Sequence, residues 1–135
     1  MILVDSSVWI DHFNGNLTAE VSLLHNLFGR EAVLVGDVVM TEVLQGFRHN
    51  RDFDVAFKFM RALPTIEIVD KEIALKAAHS YRTLRAKGIT IRKTIDTLIA
   101  TRCINDGIQL LYSDRDFDPF VAHLGLKSAF KLSTT

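Results

Sequence analysis

Four acidic residues in the 135-residue chain lie where catalytic or metal-binding carboxylates are commonly found: Asp5, Glu42, Asp96 and Asp114. Asp5 directly follows a run of three aliphatic residues, and Asp114 lies just past a second apolar stretch. Glu42 and Asp96 each interrupt a largely apolar segment. Four converging carboxylates would repel one another and destabilise the fold unless a cation lies between them. The pattern therefore favours a cation site, provided that the fold brings these acids together.

Each acid also has a purely structural interpretation. Asp5 could cap the helix that follows it, and Asp96 could interact favourably with the N-terminal dipole of its own helix. Glu42 could pair with an arginine, while Asp114 could serve as a turn or capping residue. Asp116, two positions further on, offers a second carboxylate of the same kind. Only convergence on one crevice would distinguish the functional interpretation from these.

An all-carboxylate site indicates a particular chemistry. Hard divalent ions prefer oxygen ligands, so Mg²⁺ or Mn²⁺ is the expected cofactor. Such an ion can activate water for in-line attack on a phosphodiester and stabilise the leaving oxygen. The five histidines are scattered without a zinc-binding spacing, and the chain has no glycine-rich phosphate-binding motif. Metal-dependent cleavage of phosphodiesters is therefore favoured over nucleotide triphosphate hydrolysis.

Short apolar segments alternate with helical patterns along the chain. The predicted strands are residues 2–4, 32–35, 66–69 and 108–112, with 128–132 as a candidate edge strand. The predicted helices are one capped by Ser6 or Ser7, one at 20–28, one capped by Asp37, and those at 52–63, 71–87, 93–104 and 116–124. This alternation predicts an α/β fold, a three-layer α/β/α sandwich around a mostly parallel sheet of four to five short strands. Ligands of such sheets bind beyond the carboxyl ends of the strands, where Asp5 would lie.

Composition limits the remaining possibilities. The length predicts one domain over residues 1–135. Sixteen basic and sixteen acidic residues cancel, so no overall field attracts nucleic acid. The single cysteine, Cys103, excludes a disulfide framework and is interpreted as a small core residue. No apolar run approaches the length of a signal peptide or a membrane span, and the expected location is cytoplasmic.

Four short motifs together resemble the PIN-domain family, and specifically its VapC-type toxin ribonucleases. They are VDSSVWI at 4–10, TEVLQG at 41–46, DTLIAT at 96–101 and SDRDF at 113–117. The approach to the third motif, Tyr81-Arg82 with Leu84-Arg85 and Gly88, is also similar. Each motif is weak alone, but the four occur in order over nearly the whole chain. The resemblance implies a single PIN-like nuclease domain.

The resemblance also implies an activity and a set of residues. The activity is that of an endoribonuclease, the toxin of a type II toxin–antitoxin pair, which cleaves RNA with Mg²⁺ or Mn²⁺. Asp5 and Asp96 match the primary metal ligands. Glu42 would hold a metal or orient the attacking water, and Asp114 would bind a metal directly or through water. Asp116 is the alternative to Asp114 as the fourth acid.

Further residues match polar or basic positions around this site. Ser7 and Thr41 lie beside the first two acids, where their hydroxyls could bond a carboxylate or a phosphate. Basic side chains could form a rim that binds RNA phosphates, or simply a solvated helix face; those singled out are Arg82, Arg85, Arg92, Lys93 and Arg115. The resemblance implies a VapB-like antitoxin and a homodimer as partners. Helices 20–28 and 52–63 carry apolar residues that suit either the core or a partner groove.

Two other functions fit parts of the pattern. A phosphatase of the haloacid dehalogenase type also begins with an aspartate at a strand end, but it needs an acid two residues later, where this chain has Ser7. A PIN-like module that binds RNA or protein without cutting is the second alternative. The identities of the RNA and the antitoxin, the dimer interface and the number of metal ions are not encoded in any recognisable motif.

Overall fold

A computed structural model describes residues 1–130 and contains one four-stranded sheet. Its strands are β1 (Ile2–Val4), β2 (Val33–Gly36), β3 (Thr65–Ile66) and β4 (Gln109–Leu111). They lie in the order β3-β2-β1-β4, and every neighbouring pair is parallel. At the centre, Leu3 pairs with Leu34 on one side and Leu110 on the other. The predicted sheet of short parallel strands is confirmed.

Seven α-helices surround the sheet within the described residues. They are α1 (Ser6–Phe13), α2 (Ala19–Leu27), α3 (Asp37–Gln45), α4 (Asn50–Arg61), α5 (Lys71–Ala86), α6 (Thr94–Asp106) and α7 (Asp118–Leu124), with a short 3₁₀ helix at Arg115–Phe117 before α7. The chain moves outward from β1 to β3 and then returns across the sheet to β4. Because parallel crossovers are right-handed, these opposite directions put α1–α4 on one face and α5–α6 on the other. This arrangement is the predicted three-layer sandwich.

The core is formed where the helices meet the sheet. Leu3, Val4 and Val35 are completely buried, as are Trp9 from one helical layer and Ile99 from the other. Side chains of this size contribute about 1.5–3 kcal/mol each when fully buried. Cys103 is also buried, as predicted, and burial raises the pKa of its thiol. A thiol in this environment is suited to packing and not to nucleophilic chemistry.

Two predicted helix caps were wrong. Asp5, not Ser6 or Ser7, caps α1. Gly36 precedes α3, and Asp37 instead begins it and accepts hydrogen bonds from the backbone N–H groups of Val38 and Ile68. A β-carbon on Gly36 would lie 2.8 Å from the Ile68 side chain, so a larger residue at this strand–helix junction would require Ile68 to move.

The candidate edge strand at 128–132 is not formed in its described part. Ser128 makes one isolated parallel bridge to Leu110, and residues 129–130 are helical. Residues 131–132 lie outside the described residues. Of the helices in residues 1–130, none has the length and apolar character needed to cross a membrane.

Candidate metal centre

The sheet topology brings the first and last acidic motifs together. β1 and β4 are neighbours, and Val4 pairs with Leu111 at their carboxyl ends. The backbone N–H of Asp5 then donates to the Leu111 carbonyl at 2.9 Å. After β1 the chain crosses to β2 on one side of β1, whereas β4 lies on the other side of β1. A crevice therefore opens between the segments that follow β1 and β4. Asp5 and Asp114 flank this crevice.

Asp5 uses one carboxylate oxygen for structure and leaves the other unpaired. Its Oδ2 accepts hydrogen bonds from the hydroxyl of Ser7 at 3.1 Å and the backbone N–H of Ser7 at 3.5 Å. Its Oδ1 is buried and has no hydrogen-bond partner within residues 1–130. Burial raises the pKa of Asp5, the nearby N–H groups of Ser6 and Ser7 and the Ser7 hydroxyl oppose this rise, and the charge of Asp114 adds a smaller increase. The helix-capping interpretation therefore accounts for only half of this carboxylate.

Asp96 shows the same combination on a different element. It lies in the first turn of α6, is only 5% exposed, and its Oδ2 has no hydrogen-bond partner among the described residues. Burial and the charge of Asp5 raise the pKa of Asp96 to about 7, although the positive charge of Lys93 opposes them. A buried carboxylate oxygen without a donor is costly in a folded protein.

The segment after β4 supplies two more carboxylates. Oxygen atoms from Asp96, Asp114 and Asp116 all lie within 4.8 Å of one another, a spacing that suits ligands of a single ion. The Oδ1 atom of Asp114 accepts from the backbone N–H of Asp116 at 2.9 Å, so this segment is a capped turn as well. Both aspartates reach the crevice, and the geometry favours neither as the fourth acid.

Glu42 joins the group from the opposite helical layer. It lies in α3 and is half-buried. Burial raises the pKa of Glu42, the charge of Asp5 raises it further, and Lys93 lowers it. Five acids from four separate segments therefore act on one another across one site, which we call the acidic crevice: Asp5, Glu42, Asp96, Asp114 and Asp116.

Two of the predicted basic residues, Arg92 and Lys93, pair with acids of the acidic crevice. Arg92 pairs with Asp116 at 3.1 Å, and the Lys93 ammonium lies 3.6 Å from Asp114. Arg115 follows Asp114 in the chain but lines a separate cavity of about 200 Å³ with Ser113 and Asp118.

Arg82 and Arg85 lie elsewhere. They line an apolar groove of about 560 Å³ between α5 and α6, where the Arg85 guanidinium lies 5.6 Å from the Tyr81 ring centroid. The hydroxyl of Thr41 donates to the Asp37 carbonyl and not to a carboxylate of the crevice. A contact of the two arginines with RNA stays a prediction.

One residue of the site was missed by the sequence analysis. The hydroxyl of Ser113 donates to the hydroxyl of Ser7 at 3.0 Å, and Ser7 in turn donates to Asp5. The two serines follow adjacent strands, so the chain of hydrogen bonds runs across the end of the sheet. The available signal was a hydroxyl residue next to each strand-end aspartate, which the parallel order places side by side.

Comparison with known proteins agrees with this geometry. The profile of the PIN domain matches residues 2–120. The chain belongs to the PIN-domain family. It is 28% identical to ribonuclease VapC11 of Mycobacterium tuberculosis over 131 residues, which cover 96% of this chain and 98% of that protein. The resemblance to VapC-type ribonucleases is thereby confirmed.

Solved structures of PIN-domain proteins share the fold. One is the VapBC2 complex of Rickettsia felis bound to a promoter DNA fragment, with a TM-score of 0.75 and 17% identity over 95% of this chain and 97% of that one. Another is FitAcB of Neisseria gonorrhoeae, with a TM-score of 0.74 and 16% identity over 97% and 99% of the two chains. At these identities the likeness establishes the architecture alone.

Proposed function

We propose that this PIN-domain protein is a Mg²⁺- or Mn²⁺-dependent endoribonuclease formed by a single domain over residues 1–135. The observation that carries the proposal is the pair of unpartnered buried oxygens, Asp5 Oδ1 and Asp96 Oδ2, within a crevice lined by three further carboxylates. Buried carboxylates without donors are stable only as neutral acids or beside a cation. Hard divalent ions take oxygen ligands, so the donor set fits the cofactor that the family implies.

The residues divide into distinct roles. Asp5 and Asp96 would hold the ion, with Asp114 or Asp116 completing its ligands. When bound, the ion would supply Lewis-acid activation of water and of the phosphate. Glu42 is half-buried and has a raised pKa, so it is suited to orient the attacking water and accept its proton. Arg92, Lys93 and Arg115 would bind the RNA phosphates beside the scissile bond.

Ser7 and Ser113 would orient the first ligand. Their hydroxyls form a relay that fixes Asp5 Oδ2. The fixed carboxylate directs Oδ1 away from the relay, and ligands that are oriented in this way bind metals more tightly. Neither serine needs to contact the reacting atoms in this role.

The biological setting is proposed from the relatives. They include VapC ribonucleases, and the solved structures of similar fold include a toxin–antitoxin complex from Klebsiella pneumoniae. We therefore expect this chain to act in the cytoplasm as the toxin of such a pair, as a homodimer restrained by a VapB-like antitoxin. The exposed apolar side chains of α4, Val55 and Phe57, are available for such contacts.

The direct test measures RNA cleavage by the purified full chain with Mn²⁺, with Mg²⁺ and with EDTA. Wild type should cleave RNA with either ion, and EDTA or Asp5→Asn should abolish cleavage. Thermal melts of both proteins would verify that they are folded. Intact RNA bound by folded wild type in Mn²⁺ would instead favour the non-cleaving module. Expression in a host should be toxic for wild type and harmless for Asp5→Asn.

A further inference from the structure

Two consecutive cations before α6 meet the two acids that follow β4. The guanidinium of Arg92 lies 3.1 Å from Asp116, and the ammonium of Lys93 lies 3.6 Å from Asp114. These pairs connect the segments on either side of the acidic crevice. Each pair also occupies a carboxylate that belongs to the candidate ion site. A bound divalent ion and these side chains therefore compete for the same charges.

The two cations differ in how much of the crevice they face. The charge of Lys93 acts on Glu42 from α3 and on Asp96 from α6, as well as on Asp114. Lys93 thus lies among acids from three different segments, whereas Arg92 pairs with Asp116 and has a side chain that is 77% exposed. The Lys93 side chain is 57% exposed, so its ammonium can leave the crevice without unpacking the core.

We propose that Lys93 is a displaceable counter-ion: it neutralises the acidic crevice before the divalent ion binds and becomes a phosphate-binding residue afterwards. This inference rests on the proposed function. The ion would take over the carboxylates that Lys93 balances, and the released ammonium would remain tethered at the crevice rim beside α6. Lysine suits this exchange because it carries a compact point charge on a flexible stem.

The exchange predicts effects of opposite sign when the charge of Lys93 is removed. Without its competitor, the divalent ion should bind more tightly. Without the rim ammonium, RNA should bind more weakly. Removing a residue that only supports the fold would weaken the binding of both the divalent ion and RNA. Removing a residue that only contacts RNA would leave metal binding unchanged. The opposite signs therefore separate the proposal from ordinary structural and substrate-binding roles.

The experiment compares full-length wild type with Lys93→Met and Lys93→Arg. Mn²⁺ binding is measured by calorimetry without RNA, and KM and kcat for an RNA oligonucleotide are measured at saturating Mn²⁺. Coulomb interaction at this range, reduced by solvent and salt, predicts roughly threefold to tenfold tighter Mn²⁺ binding for Lys93→Met. Its KM for RNA should rise severalfold while kcat changes little. Lys93→Arg keeps the charge and should resemble wild type in Mn²⁺ affinity.

Lys58→Met is the matched control, because Lys58 is an exposed lysine in α4. It should leave both measurements unchanged, and Lys93→Gln replaces Lys93→Met if the latter fails to fold. Unchanged or weaker Mn²⁺ binding by folded Lys93→Met would overturn the counter-ion proposal while leaving the proposed nuclease intact. Wild type that binds no Mn²⁺ would overturn the proposed function and this inference together.

Discussion

The two ends of α1 lie in opposite kinds of environment. At its N-terminus, the capping residue Asp5 lies in the acidic crevice, where buried carboxylates face one another. One to two turns later, α1 enters an aromatic cluster, which we define as Trp9, His12, Phe13, Phe28 and Phe59. The rings of Phe13 and Phe59 are nearly perpendicular, with centroids 5.6 Å apart. One short helix thus connects the acidic crevice, where buried carboxylates destabilise the fold, to the aromatic cluster, where ring packing stabilises it.

Both regions contain a buried polar atom without a hydrogen-bond partner in the described structure, so the costs of burying these two atoms can be compared. Trp9 Nε1 is a neutral donor surrounded by rings, whereas Asp5 Oδ1 belongs to an ionisable group near other acids. A neutral orphan costs about 1–3 kcal/mol, and a charged one costs more. The aromatic packing can offset the first cost locally. The second requires a proton or a cation, which is why we assign the crevice to function.

The largest expected effect comes from removing a charge from the crevice. Asp96→Asn should lower RNA cleavage by at least about a thousandfold, equivalent to about 4 kcal/mol of transition-state stabilisation. The same change should stabilise the metal-free protein by about 1–2 kcal/mol, because it relieves burial and repulsion of a carboxylate. Cleavage assays and urea unfolding in EDTA measure the two quantities. If Asp96→Asn lost both RNA cleavage and stability, the Asp96 carboxylate would stabilise the metal-free fold, contrary to this prediction.

The aromatic cluster should show the reverse behaviour. Trp9→Ala should destabilise the protein by about 3–5 kcal/mol, because it empties a fully buried site. Trp9→Phe keeps most of the packing and removes the orphan donor, so its cost should be markedly smaller. Urea unfolding of both variants provides the measurement. Folded Trp9→Phe protein should keep the Mn²⁺ affinity of wild type. A large loss of Mn²⁺ affinity would show that the aromatic cluster and the acidic crevice are not independent.

The crevice should also make stability depend on pH in a defined direction. The folded pKa of Asp96 is about 7, above the unfolded value of about 3.9, so the folded state holds a proton that the unfolded state loses between these values. Stability of the metal-free protein should therefore fall as pH rises from about 4 to about 7. The upper bound on this loss of unfolding free energy is about 4 kcal/mol. Solvent in the crevice reduces the expected loss to roughly 2 kcal/mol.

Urea unfolding across this pH range, in EDTA, would measure the slope against Asp96→Asn as the control. The variant should lack most of the decline, and saturating Mn²⁺ should reverse it in wild type, because ion binding favours the ionised carboxylates. Equal slopes for wild type and variant would remove Asp96 as the cause. The decline would then have to come from the other crevice acids with raised pKa values, Asp5 and Glu42. His12 would act in the opposite direction, because burial and His25 lower its pKa.

Much of this architecture is predictable from the chain because its signals are local. Apolar runs identify the strands, and an aspartate directly after a buried strand indicates a crevice position. The convergence of Asp5 with Asp96 depends on strand order and on the placement of α6, which periodicity does not specify. The contrast within α1 was likewise hidden, because Phe28 and Phe59 come from distant segments.

Other details depend on side-chain contacts that no pattern specifies. Arg102 belongs to a basic stretch, yet it donates to the Ile68 carbonyl and pairs with Asp70 and Asp106, so it supports the fold. Arg82, a candidate for the RNA-binding rim, lines a groove between α5 and α6. Helical spacing places both arginines in α-helices, but it does not distinguish an arginine that pairs with acids from one that lines a groove.

The smallest expected effect concerns Ser113, the outer member of the hydroxyl relay to Asp5. Ser113→Ala removes one neutral hydrogen bond, worth about 0.5–1.5 kcal/mol, and should weaken Mn²⁺ binding by roughly twofold to tenfold. Ser113→Thr keeps the hydroxyl and should preserve affinity, and Ser22→Ala, at an exposed position of α2, is the control. Calorimetry with Mn²⁺ measures all three. An unchanged affinity for Ser113→Ala would mean that Ser7 alone orients Asp5, since Ser7 donates to that carboxylate through both its hydroxyl and its backbone N–H.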